Sequence, residues 1–173
     1  MDHERTVTIE WSIPNEQWDK ARSAVAVHPA RSDYDRRGLG RYYLLYGDVD
    51  FAYDGSHLYG AVYGIKGINV SLMDLGLALA GAHMKDAFSP GATAVYEQLD
   101  DDLKIRFVTD REAVHILASD RPEEFVVERA AFTRGVISFL CGFASACARE
   151  VNGIMGWESM APLRDFAAKY CGN

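Results

Sequence analysis

The chain has 173 residues, 49% hydrophobic and 25% charged, which is the size and balance of one ordinary globular domain. Its net charge of −7 is concentrated in residues 41–128, where fifteen acidic side chains face seven basic ones. Such a centre repels phosphate backbones and attracts basic proteins, so nucleic acid is excluded as a direct partner.

The first predicted element is a strand over Thr6–Ile13, with Val7, Ile9, Trp11 and Ile13 on one face and Pro14 at its end. Asn15 is placed to cap a helix through about Ala26, and His28-Pro29 closes it. Residues from Ala30 to Gly40 are polar and read as a surface loop. From Arg41 to Ile65 the pattern predicts a meander of three strands. Tyr42–Tyr46 is apolar on both faces and reads as a central strand. The Asp54-Gly55 pair marks a hairpin, because both residues tolerate positive φ, and His57–Ile65 reads as the return strand. Ser71 caps the next helix, which runs to about Lys85 with Leu72, Leu75 and Leu79 on its stripe.

Past the Ser89-Pro90-Gly91 break, three alternating runs around Ala94–Leu99, Leu103–Phe107 and Val114–Ala118 predict antiparallel strands with one wet face. Phe125–Val127 extends the set or leads into the next helix. The stripe Phe132, Val136, Phe139, Leu140, Phe143 and Cys147 predicts a largely buried helix from Arg129 to about Val151, ended by Asn152-Gly153. Pro162 opens a last helix. The expectation is one α+β domain over 1–173, a mainly antiparallel sheet with helices on one face.

The chain carries no catalytic or cofactor pattern. Asp48, Asp50 and Asp54 fail calcium-loop spacing, with Tyr59 where a glutamate belongs. The five histidines have no zinc spacing, and His115 reads as a half-buried polar neighbour. Cys141 reads as an inert buried thiol, and three cysteines with no leader pattern suit the cytoplasm; no run reaches the length of a membrane span. Tyr42, Tyr43, Tyr46, Tyr53, Tyr59 and Tyr63 form either an aromatic patch or a sheet core.

The acidic groups are Asp48, Asp50 and Asp54, then Asp100, Asp101 and Asp102, and finally Asp120, Glu123 and Glu124. These are the candidate partner-binding residues. An amphipathic opening strand (VTIEWSI), a Tyr-rich stretch with a turn (YYLLYGDVDFAYDG), a helix beginning SLMDLGLAL, more strands and an apolar C-terminal helix follow one another. This order resembles bacterial immunity proteins that neutralise polymorphic or contact-dependent growth-inhibition toxins, and the likeness in layout and charge covers most of the chain. It implies a toxin protein as partner, often a basic nuclease, with no catalysis, cofactor or metal. The alternatives are a small enzyme or ligand-binding domain with a pocket near the Tyr-rich meander, and a homo-oligomer subunit.

Overall fold

The structure, a computed structural model, describes residues 5–59, 61–62, 65–98 and 102–172, with backbone only at 61–62 and 65–66. Alternation makes the first strand as expected: β1 (Thr8–Ser12) sends Ile9 inward and leaves Thr8, Glu10 and Ser12 in solvent. It pairs antiparallel with β2 (Tyr46–Tyr53), in the register Glu10↔Asp50 and Ser12↔Asp48. Between them lie α1 (Asn15–Val27) and two single helical turns, α2 (Asp33–Arg36) and α3 (Gly40–Tyr43). Asn15 does not cap α1. Pro14 occupies the cap, and its carbonyl accepts from the Gln17 and Trp18 amides.

The Tyr42–Tyr46 strand is a correction. Residues 40–43 wind into α3, and the strand begins only at Tyr46, after Leu45 reverses the chain at φ 57°. Two long-range contacts override the strand preference of the tyrosines. Arg41 reaches the Asp74 carboxylate at 2.7 Å, and Gly40 lies so close to Trp157 that an added Cβ would stand 2.8 Å from its ring. The stretch 30–40 is likewise no simple loop: Ser32 caps α2, and Asp35 is wholly buried.

Asp54-Gly55 forms the expected turn, with φ of 52° and 77°. The return strand is much shorter than its alternation suggests. Among the described residues β3 (Ser56–His57) alone pairs with β2 there; β4 (Ala61–Val62) and β5 (Ile65–Lys66) pair antiparallel with each other, and β6 (Ile68–Ser71) rejoins β2 opposite Tyr46–Val49. The first sheet is thus β1–β2, with β3 and β6 sharing the other edge of β2.

Ser71 does cap α4 (Leu72–Met84), accepting from the Asp74 amide at 3.2 Å. The second sheet is a meander, β7 (Thr93–Glu97), β8 (Lys104–Thr109), β9 (Ala113–Ala118) and β10 (Phe125–Glu128), all antiparallel. Ile105, Phe107, Val114, Ile116 and Val127 point inward, and the opposite face is wet, as the alternation predicts. α5 (Arg129–Glu150) is long and apolar enough, by length and composition, to cross a membrane; here its stripe packs on both sheets. Phe132 meets Phe107 of β8, while Phe139 and Phe143 meet Trp11 of β1 edge-on. Phe51 of β2 faces Phe107 at 6.0 Å, so the two sheets share one core. The α+β expectation holds, with the strands divided between two sheets.

α6 (Ala161–Tyr170) begins with Pro162 in its first turn and closes over α4 and α5. At its end Cys171 bonds Cys141, with Cα atoms 5.4 Å apart. Cys141 is therefore a disulfide partner and not an inert thiol, because α6 brings Cys171 against the flank of the α5 stripe. Cys147 is the buried free cysteine, and burial pushes its thiol up to about 12.

Candidate functional site

The outer face of the first sheet carries the first acidic group. Because side chains alternate along a strand, Glu10, Asp48 and Asp50 share this face, and pairing sets Glu10 opposite Asp50. Asp48 is exposed and accepts from Asn69 of β6 at 3.2 Å. Asp50 is only 4% exposed, since residues 57–59 fold back over it. Its Oδ1 accepts from the amides of Phe51 (2.8 Å) and Tyr59 (2.9 Å), and its Oδ2 lies 2.8 Å from His57 Nδ1. Asp50 is thus an internal anchor and not the free surface carboxylate that its position in an acidic run suggests.

Tyr59 connects this face to the second sheet. Its hydroxyl donates to Asp120 at 3.3 Å, and Arg121 lies over its ring while donating to its carbonyl at 3.2 Å. Burial, then the Asp120 charge, raises the Tyr59 hydroxyl well above the ordinary tyrosine range. Of the six tyrosines in the Tyr-rich stretch, Tyr59 is core and Tyr43 is exposed; Tyr42, Tyr46 and Tyr53 are half-buried, and Tyr63 lies outside the described residues.

Beside Asp120 runs an open groove of about 360 Å³ between the sheets. Ile68 and Leu103 supply its apolar surface, and Asp102, Ser119 and Asp120 supply the polar one, with no lysine or arginine among the described lining residues. Of the two cations that directly follow a lining residue, Arg121 is occupied by Tyr59 and Lys104 pairs with Glu97 at 3.3 Å. Glu123 is exposed in the same β9–β10 connection. The register of β2 and β6 sets Asp48 opposite Asn69, the residue after Ile68. Asp102 of the second acidic group and Asp120 of the last therefore share the groove, while Asp48 stands on the outer face of the first sheet.

Other acids go elsewhere. Asp54 sits in the hairpin turn at the far end of β2 from Asp48 and pairs loosely with Arg5 at 3.9 Å. Asp100 and Asp101 lie outside the described residues. Glu124 belongs to a separate cluster on the wet face of the second sheet. There His115 of β9 places Nδ1 2.8 Å from Glu124 and Nε2 2.9 Å from Asp110. Asp110 also accepts from the amides of Glu112 and Ala113, which fixes the β8–β9 turn. Both imidazole nitrogens are engaged, so His115 has none free to act as a base.

The hydrogen bond to Asp110 raises the His115 pKa against the opposing effect of burial, with Glu124 adding to it. The Asp110 carboxyl is held at about 2, first by His115 and then by the two amides. A raised histidine stabilises the fold below its unfolded value and loses that contribution as pH rises through the folded one. A lowered aspartate contributes above its unfolded value and loses its effect as pH falls through the folded one. The cluster is therefore strongest between roughly pH 4 and 6.5, the two unfolded values. The melting-temperature difference between wild type and His115→Ala should be largest near about pH 5 and shrink steadily above about pH 7. A difference independent of pH across that range would contradict the charged clamp.

No family model, curated protein or solved structure matches this chain.

Proposed function

We propose that the chain is a non-catalytic binding protein of the immunity type, which neutralises a basic, nuclease-like toxin by covering it. The observation that carries this reading is the groove at the sheet junction, where Ile68 and Leu103 line one opening together with Asp102 and Asp120. An apolar surface bounded by acids suits the stem and head of an arginine or lysine, which buries its methylenes and keeps its charge paired. Tyr59 holds Asp120 in position, so this carboxylate is ordered before the partner arrives. Glu123, exposed in the same connection as Asp120, extends the negative field and speeds encounter with a basic surface. The same reading puts the protein in the cytoplasm, where a nuclease-type toxin acts.

The test is growth rescue. An immunity protein requires a toxin encoded directly upstream; that neighbour's product, expressed alone, should arrest cells, and co-expression of this chain should restore growth. Asp102→Lys with Asp120→Lys should abolish rescue while the circular dichroism and melting temperature stay near wild type. Full rescue by that double variant would remove the groove from the account.

A further inference from the structure

We propose that Glu10, Asp50 and His57 form a binding site for a divalent transition-metal ion on the outer face of the first sheet. The three residues come from different strands, β1, β2 and β3, and pairing brings them together: Glu10 faces Asp50, and His57 faces Ala52 two residues further along β2. One ligand atom from each lies within 4.8 Å of the others. One imidazole nitrogen with two carboxylate oxygens is the donor set that suits zinc, cobalt, nickel or manganese, whereas calcium and magnesium prefer oxygens alone.

Asp50 gives the site its rigidity. Two amides hold its Oδ1, so Oδ2 is aimed at His57 before any ion binds. That separation, 2.8 Å from Nδ1 to Oδ2, is close to the roughly 3 Å spacing of neighbouring ligands about an ion with bonds near 2.1 Å. A small rotation of the exposed His57 ring makes up the difference. The charges agree with the geometry. Like charges directly opposite on an antiparallel pair repel, and Glu10 and Asp50 are such a pair, so a dication between them turns repulsion into attraction. The recess beside them, lined by Glu10, Ser12, Asp48 and Asp50 among others, is open to solvent and leaves room for water ligands. Asp48 stands on the same face, where it can accept from such a water.

The experiment is calorimetric titration of the chelator-treated chain with zinc chloride, and separately with cobalt chloride followed by visible absorption. One ion should bind per chain with micromolar affinity, and the cobalt bands should show nitrogen and oxygen ligation without sulfur. His57→Ala and Glu10→Gln, both at exposed positions, should each weaken binding by at least about tenfold. Asp50→Ala is avoided because it leaves two amides without an acceptor. Absence of binding below millimolar metal overturns the proposal, as does binding unchanged in both variants. Binding lost in His115→Ala but retained in His57→Ala also overturns it, because the ion would then sit at the Asp110–Glu124 clamp. Toxin neutralisation is read at Asp102 and Asp120 and metal binding at His57 and Glu10, so either can fail without the other.

Discussion

Replacing Asp35 by alanine should cost about 3–4 kcal/mol of unfolding free energy, a large share of what such a domain has. The carboxylate is fully buried and accepts four hydrogen bonds. These come from the Arg31 amide (2.9 Å), the Glu158 amide (2.8 Å), and the amide and hydroxyl of Ser159 (3.0 and 2.8 Å). It ties the 31–36 turn to the 3-10 turn at Glu158–Met160, more than 120 residues later. Alanine removes the acceptor of three part-buried amides and of the Ser159 hydroxyl, and each lost partner exacts a cost. The damage reaches neighbours, because Tyr34 packs on the fully buried Trp157, and Trp157 packs on Gly40.

Burial alone would raise the Asp35 carboxyl, but the amides of Ser159, Arg31 and Glu158 outweigh it and hold the group below the usual aspartate range. A lowered carboxyl contributes stability above its unfolded value near about 3.9 and loses that contribution as pH falls through the folded value. Urea denaturation at neutral pH should show the full loss in Asp35→Ala. The gap to wild type should narrow only below about pH 4. A loss under about 1 kcal/mol at neutral pH would mean that the two turns are held together by something else.

Opening the Cys141–Cys171 bond should cost about 3 kcal/mol. The residues are 30 apart in sequence, and releasing a loop of that length restores entropy to the unfolded chain. Both cysteines are half-buried, within reach of a reductant, whereas Cys147 is sealed in the core. Thiol alkylation of the oxidised protein in denaturant should label Cys147 alone, and all three cysteines after reduction. Cys171→Ser should melt at the temperature of the reduced wild type and no longer respond to reductant. Three labelled thiols without reduction would contradict the bond.

Local patterns carried the regular elements well. The alternation in β7–β9 and the stripe of α5 depend on a repeating inward face, which neighbouring residues reveal by themselves. The segment from Ala30 to Tyr46 departs from its local pattern because its conformation is decided from far away, by Asp74 pulling on Arg41 and by Trp157 and Ser159 packing on Gly40 and bonding Asp35. Tyrosine's preference for strands is too weak to prevail against such contacts.

Charge was legible, and its placement less so. Asp50 stood in an acidic run, but nothing nearby shows that residues 57–59 fold over it. Glu10 lies outside the acidic turns, yet the alternation of VTIEWSI already sets it on the wet face of a strand beside Thr8 and Ser12. His115 lacked partners at recognisable spacing because a turn and a neighbouring strand deliver them. The pairing of Cys141 follows from where α6 ends, and no spacing rule contains that.

The most direct test of the account is the affinity of this chain for the protein encoded directly upstream, where the proposed function requires a toxin, measured across a salt series for wild type and for Asp102→Lys with Asp120→Lys. The account predicts binding that weakens as salt rises and falls by at least about a hundredfold in the double variant, roughly two lost charge-assisted contacts. Affinity that ignores salt and survives both reversals would contradict it.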